Sequence, residues 1–251
     1  MSAAVPLSPG SPSAGPDWLR PLLDRLDDVP ATYRTRIPAD ILAAITESAG
    51  VTQKRDAAVL VLFSGPETGE PGTVPHDADL LVTVRASTLR HHAGQAAFPG
   101  GASDPGDDGP VGTALREAWE ETGIDISRLR ALATLERMFL PPSGYHVVPV
   151  LAFSPDPGPV AVVDDAETAI VARVPVRAFI NPENRLRVYR KENTTRSAGP
   201  AFLLNEMLVW GFTGHIIAAM LDVAGWTQPW DPERVYEVED AMALVGGQGA
   251  L

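Results

Sequence analysis

The run Arg116-Glu117-Ala118-Trp119-Glu120-Glu121-Thr122-Gly123-Ile124 holds three carboxylates at spacings of three and four. Residues so spaced are neighbours on one helical face, where like charges repel. The cluster has two readings, a solvated acidic face or a site for a divalent cation. Hard cations such as magnesium take oxygen ligands, use a few carboxylates together with substrate phosphates, and retain water. Arg116 stands four residues before Glu120, where it can pair with one acid and orient it. Gly123 then supplies a residue suited to the left-handed conformation that closes a helix. Upstream lies Phe98-Pro99-Gly100-Gly101, followed by a polar, glycine-rich loop to Gly112. Paired glycines let backbone approach a ligand where a side chain would clash.

The segment from Gly101 to Ile124 resembles the Nudix box, which runs as Gly, five residues, Glu, seven residues, then Arg-Glu-apolar-x-Glu-Glu-x-Gly-apolar. The second half matches at every position. In the first half Asp107 stands where a glutamate is expected, and the spacing to Arg116 is one residue longer. The stretch before the box resembles the added signature of the coenzyme A pyrophosphatase branch of that superfamily. It comprises Leu81-Val82-Thr83-Val84-Arg85-Ala86, then Arg90, Gly94 and Phe98-Pro99-Gly100-Gly101. Pro142-Ser143-Gly144-Tyr145, Val147-Val148-Pro149-Val150, Val174-Pro175-Val176 and Leu208-Val209-Trp210-Gly211-Phe212-Thr213-Gly214 fit the same branch, so the likeness covers roughly residues 56–221.

The resemblance implies a metal-dependent hydrolase that cuts coenzyme A or an acyl derivative into 3′,5′-ADP and the (acyl)phosphopantetheine. Carboxylates alone repel a diphosphate. Magnesium or manganese held between them would clamp the phosphate oxygens and lower the pKa of a bound water. Glu117 and Glu121, one turn apart, are the first choice of ligands; Glu120 is a third ligand or the partner of Arg116. The general base is Glu117 or a distal acid among Asp164, Asp165 and Glu167. Arg85 and Arg90 acquire from the resemblance a role near the coenzyme, whose phosphates suit arginine forks. Gly94, Phe98, Gly100 and Gly101 complete the substrate-binding set, with Phe98 readable equally as core packing.

Other residues read more plainly. His91 and His92 are adjacent loop histidines without a third ligand at metal spacing. Trp119 is expected in the core, as are Trp210 and His215 on the last helix, while Tyr145 borders either the pocket or a plain turn.

Composition sets the class. Hydrophobic content of 45% and charged content of 21% suit a globular domain with a substantial core. A net charge of −12 argues against a chain that grips nucleic acid by its backbone. A small anionic substrate is compatible, because bound divalent metal reverses the local field. Without cysteine there is no disulfide framework, thiolate zinc site or cysteine nucleophile. Residues 1–16 lack the basic start and apolar block of a secretory signal and read as a disordered tail. The apolar region 202–221 is interrupted by Asn205, Glu206 and His215, unlike a membrane span, so a cytoplasmic location is expected.

The elements that must position the acids follow from patterning. Helices are expected over 17–26 and 39–49, with residues 30–34 as a connector. This 17–54 segment serves packing or formation of a homodimer. The run 57–63 is a buried strand, a loop over 64–79 joins it to a strand at 80–85, and the acidic helix follows. Further strands are expected at 132–140, 146–153, 169–174 and 186–190, with a short helix at 175–180. A long helix over 203–221 and an acidic, loosely held tail over 226–251 end the chain. Residues 55–225 form one hydrolase domain. With the resemblance, the class is α/β, the Nudix fold, a mixed sheet sandwiched between helices (α/β/α).

Overall fold

A computed structural model describes residues 15–37, 55–86, 94–140, 144–191 and 197–245, together with Leu42, Ala43, Ile45 and Glu47. The expected helix at 39–49 lies largely outside these, as do residues 1–14, Arg90, His91, His92, Pro142, Ser143 and the terminal Gly-Gly-Gln-Gly.

Strands β1 (Arg55–Ser64) and β7 (Tyr145–Ser154) lie parallel and in register, from Arg55 opposite Tyr145 to Ser64 opposite Ser154. Both are continuous apolar runs because both of their faces are covered. Strand β2 (Asp79–Arg85) pairs antiparallel with the far end of β1, and β4 (Gly100–Ala102) pairs with its near half. Around this centre sit β3 (Ala96–Ala97), β5 (Arg130–Thr134), β6 (Met138–Leu140) and β8 (Thr168–Pro175), completing an eight-stranded mixed sheet. The expected strand 132–140 is thus two short ones, broken where the Leu135 amide donates to Pro149 O.

Alternate residues of β1 and β7 serve two layers. Ala58, Leu60, Leu62, Val150 and Ala152 pack against Ala114, Ala118 and Ile124, the first two on the acidic helix. Val61, Phe63, Leu151 and Phe153 enter a larger core with Trp18, Leu22 and the last long helix. That is the α/β/α arrangement expected. Trp18 is fully buried, edge-on to Phe63 and Phe153, and its indole donates to Pro66 O at 3.0 Å.

Three expectations change. The connector at residues 30–34 is helical: α1 (Arg20–Leu23) is followed by α2 (Asp28–Thr35), entered through Val29 and Pro30, both buried. The expected 203–221 helix begins only at Gly211. Before it, β10 (Gly199–Leu204) and β11 (Met207–Val209) form a hairpin turning at Asn205-Glu206, where Leu204 faces Met207. Both strands belong to a second, four-stranded sheet with β9 (Arg185–Tyr189) and β12 (Val235–Glu237). The acidic tail is not loose through residue 245. Trp226 is buried with its indole on Gly72 O at 3.1 Å, β12 pairs parallel with β9, and a helix at Val238–Ala243 buries Val238 and Ala241.

Candidate functional site

The acidic helix, α3, spans Gly109–Thr122. Pro110 starts it, where a missing N–H costs nothing, and Gly123 ends it at φ +66°, donating its amide to Trp119 O at 2.8 Å. Its buried stripe is Ala114, Ala118 and Thr122, at steps of four. Small residues there bring the helix close to β1 and turn Glu117 and Glu121 toward the edge of the sheet. Trp119 falls one step round from that stripe and is 56% exposed, which corrects the expectation that it belongs to the core.

Arg116 organises the outer acids. Its Nε donates to Asp107 Oδ1 at 2.8 Å and its Nη2 to Asp107 Oδ2 at 3.0 Å, a bidentate pair. Its Nη1 donates to Glu117 Oε1 at 3.0 Å and Glu120 Oε2 at 2.9 Å, and Nη2 also reaches Ala102 O at 2.9 Å. Asp107 accepts further from Thr113 Oγ1 and from the Asp104 amide, each at 2.8 Å. Arg116 foremost, then the Asp104 amide, holds the Asp107 carboxyl well below the usual carboxylate range. The aspartate thus anchors the loop to the helix despite the longer spacing. Thr113 and Asp104 escaped the sequence reading; the Asp-x-x-Asp turn followed by a threonine was the available signal.

Glu121 is in a different situation. Only one donor in the described structure reaches its carboxylate, the Gly100 amide at 3.3 Å from Oε2. Burial first, and then the charge of Glu117 and Glu167, pushes its pKa up to about 7, opposed by the Gly100 amide and by Arg85. Burial likewise raises the pKa of Glu117, though Arg116 offsets part of the rise.

The glycine pair is spatially required. A Cβ on Gly101 would stand 2.5 Å from the Glu117 carboxylate, and one on Gly100 would stand 2.4 Å from Ala58 O and 2.6 Å from Val59 Cα. The first glycine presses the backbone onto β1 and the second leaves room for the Glu117 head group.

The structure therefore brings together Gly100, Gly101, Arg116, Glu117, Glu121 and Arg85. Glu120, its side chain 46% exposed, turns outward as a partner of Arg116. Of the three distal acids, Glu167 is the one whose charge bears on Glu121, while Asp164 caps its own turn by accepting from the Ala166 amide. Phe98 is 3% exposed within the main core, so packing describes its side chain. Gly94 closes the stem of the loop after β2, its amide on Arg85 O at 3.0 Å. Tyr145 is half-buried under the Arg55 guanidinium, 4.2 Å from its ring centre. Trp210 and His215 pack as expected, His215 edge-on to Tyr33.

No group of three or more His, Asp or Glu side chains among the described residues is arranged to cage a metal ion by itself. The donor set nonetheless fits a divalent cation of the magnesium type. Such an ion uses one or two protein carboxylates and completes its shell with water and substrate phosphate. Glu117 and Glu121 are two half-buried acids whose proton affinity is raised, first by burial and then by neighbouring carboxylates (Glu120 and Asp104 for Glu117, Glu117 and Glu167 for Glu121), an excess of negative charge that a divalent ion would relieve.

Residues 53–193 match the NUDIX domain family. This chain belongs to the Nudix hydrolases. An uncharacterized Nudix hydrolase, NudL, from Yersinia pestis is 34% identical over 168 residues, covering 66% of this chain and 77% of that protein. NudL of Yersinia pseudotuberculosis gives the same figures. Among solved structures, a Nudix hydrolase from M. smegmatis, RenU, aligns at 24% identity and a TM-score of 0.38, covering 50% of this chain and 73% of that one. A NUDIX hydrolase from Alicyclobacillus acidocaldarius aligns at 22% identity and a TM-score of 0.40, covering 52% and 82%. At those scores the membership rests on the sequence match. As a Nudix hydrolase the chain is a pyrophosphohydrolase of small nucleotide substrates, in a family that generally uses divalent metal ions. Among the described residues no helix is long and apolar enough to cross a membrane.

Proposed function

We propose that this Nudix hydrolase cleaves the diphosphate of coenzyme A or an acyl-coenzyme A, giving 3′,5′-ADP and the (acyl)phosphopantetheine, with Mg2+ or Mn2+. The observation that carries the reading is the 81–101 signature, whose two ends meet at the acids. Arg85, from its first part, bears electrostatically on Glu121; Gly100 and Gly101, from its last part, touch Glu121 and Glu117. A motif outside the metal-binding helix that closes on that helix is suited to presenting a particular substrate to it.

In this reading Glu117 and Glu121 hold the divalent ion, which when bound supplies neutralisation of the diphosphate charge and acidification of a water. The remaining work falls to the chain. The Gly100 amide fixes one oxygen of Glu121, and Arg116 fixes one oxygen of Glu117. The Arg85 guanidinium beside these acids offers a positive counterpart for a phosphate oxygen. In this reading Glu167, whose charge bears on Glu121, accepts the proton of the attacking water, with Glu117 the other choice. Glu120 acts through Arg116, and Arg90 is assigned to the substrate phosphates. Gly94 closes back on Arg85 O, and Phe98 packs in the core ahead of the glycine pair. The hydrolase unit is assigned to residues 55–225, acting in the cytoplasm, and the proposed assembly is a homodimer, although the described part of the 17–54 segment packs Trp18, Leu19 and Leu22 into this chain's own core.

The test is incubation of the purified chain with coenzyme A, acetyl-coenzyme A, ADP-ribose and NADH, each with Mg2+, Mn2+ or a chelator, and chromatography of the products. The expected result is metal-dependent release of 3′,5′-ADP, faster than cleavage of the other two. Preferential cleavage of ADP-ribose or NADH would overturn the substrate assignment and leave the chemistry intact.

A further inference from the structure

Beside the metal helix, the same face of the sheet carries an aromatic group that the reading above does not use. Ala58 of β1 is opposite Gly101 on one side and Val148 of β7 on the other. Residues paired across strands share a face, and so do residues two apart along a strand. The row Gly101, Ala58, Val148 therefore faces α3, and Gly101 abuts Glu117. Two residues toward the start of β1, the next row on that face is Asp56, His146 and Phe139, since Asp56 pairs with His146 and His146 with Phe139. Two residues of strand are about 6.6 Å.

Helix α3 covers this face from Ala58 onward, through Leu60, Leu62, Val150 and Ala152. Neither Val148 nor Phe139 belongs to any of the three hydrophobic clusters, and both are half-buried. Phe139 lies 4.9 Å from the His146 ring, tilted by 44°. His146 is only 7% exposed, yet its Nδ1 is buried without a hydrogen-bond partner. A buried imidazole nitrogen left unpaired is costly and calls for a partner. Beside it, Arg137 Nη1 donates to Asp56 Oδ1 at 2.9 Å, and the Arg137 side chain remains 43% exposed. One carboxylate oxygen occupies one of a guanidinium's five donors.

We propose that Phe139, His146 and Arg137 form the subsite for the purine base of the substrate nucleotide. Phe139 is the stacking ring, with His146 packed against it. When the base stacks, the His146 ring turns to bring its Nδ1, buried and unpaired in the free protein, to the edge of the base. Arg137 supplies donors to the attached ribose or its phosphate. The diphosphate then spans the single row between this subsite and Glu117, and the rest of the substrate leaves past Arg85. This rests on the assignment of Glu117 and Glu121 as the hydrolytic site, and not on which nucleoside diphosphate derivative is cut.

The test is calorimetric titration of the full chain with AMP, 3′,5′-ADP and ribose 5-phosphate, for the wild type, Phe139→Ala and Phe139→Trp. Because Phe139 lies outside the core clusters, Phe139→Ala should keep the wild-type circular dichroism and melting temperature. The expected result is that Phe139→Ala weakens both nucleotides about tenfold, within the range that base stacking supplies. Ribose 5-phosphate, which lacks a base, should be unaffected, and Phe139→Trp should restore nucleotide binding. No nucleotide binding by the wild type, no loss in Phe139→Ala, or an equal loss for ribose 5-phosphate would overturn the subsite. AMP and 3′,5′-ADP share the base, so failure of coenzyme A as a substrate leaves this result readable.

Discussion

Replacing Asp107 with Asn tests the link between the loop and the metal helix. The Asp107 side chain is 7% exposed and accepts four hydrogen bonds: two from Arg116, one from Thr113 and one from the Asp104 amide. An asparagine of the same shape keeps the Oδ2 acceptor, which serves Thr113, the Asp104 amide and Arg116 Nη2, and puts its amide group where Oδ1 accepted from Arg116 Nε. Its amide group then turns N–H toward a guanidinium that also only donates. Hydrogen bonds to charged groups contribute about 1.5–3 kcal/mol each. The Nε bond is lost and the Nη2 bond falls to a neutral acceptor, but Arg116 retains Glu117, Glu120 and Ala102 O, and its side chain is 24% exposed. The expected net loss is therefore about 2–3 kcal/mol, a large share of a typical stability of about 5–15 kcal/mol. Asp108→Asn is the control, since that exposed side chain makes no capping bond and should change stability by less than about 0.5 kcal/mol.

The assay is urea unfolding followed by tryptophan fluorescence, repeated across acidic pH. Asp107 has a lowered pKa in the folded state, so its contribution is present above the ordinary carboxylate pKa of 3.8 and fades as pH falls toward the lowered value. The gap between wild type and Asp107→Asn should accordingly hold from pH 7 to about 4 and narrow below that. Freed from Asp107, Arg116 bears harder on Glu117, and metal affinity should drop about 10–100-fold. A variant as stable as the wild type at pH 7, or a gap that widens on acidification, would refute this account of the loop.

Other outcomes follow from the same geometry. Glu121→Gln should abolish turnover while leaving metal-free stability at pH 8 equal or higher. With a folded pKa pushed up to about 7, ionised Glu121 weakens the fold as pH rises through that value, and the amide removes the charge; unfolding of the variant, or retained activity, would contradict the assignment. Gly101→Ala should fold yet lose activity, because its Cβ would displace the Glu117 carboxylate, whereas Gly100→Ala should be strongly destabilised, because its Cβ would meet β1 backbone; thermal melts beside turnover assays separate the two. Trp119→Ser, at a 56% exposed position, should alter stability by less than about 0.5 kcal/mol in the same melts.

What could be read from the sequence divides along physical lines. The acids of α3 and the Gly-Gly turn were legible because their chemistry is local: spacing along one helix and absence of side chains at one turn. The Arg116–Glu120 pair was legible for the same reason, being four residues apart. Arg116–Asp107 was not, because it depends on how the loop closes, and the spacing there is one residue longer than in the box. The second sheet was hidden by a run that is apolar on every side. Residues 203–209 have no period to distinguish strand from helix, and only Asn205-Glu206 marked the turn. Trp119 was misplaced because a large apolar residue between acids suggests the core, whereas the stripe that packs is the small-residue one, Ala114, Ala118 and Thr122.

The same division explains why the three glutamates are not equivalent. One guanidinium serves Asp104, Asp107, Glu117 and Glu120, the first at 3.9 Å and the others within 3.0 Å. Glu120 is the most exposed of the helix acids, so water stabilises its charge and it has little need of a metal. Glu117 shares Arg116 at one oxygen, which leaves the other, beside Gly101, for a second positive partner. Glu121 receives a single backbone N–H and faces both Glu117 and Glu167. The positive charge of the box is spent on its rim, and the deficit of charge accumulates inward at Glu117 and Glu121. Under the proposed function a divalent cation would be drawn to that inner pair, and the Arg116 network would keep the outer acids from competing for it.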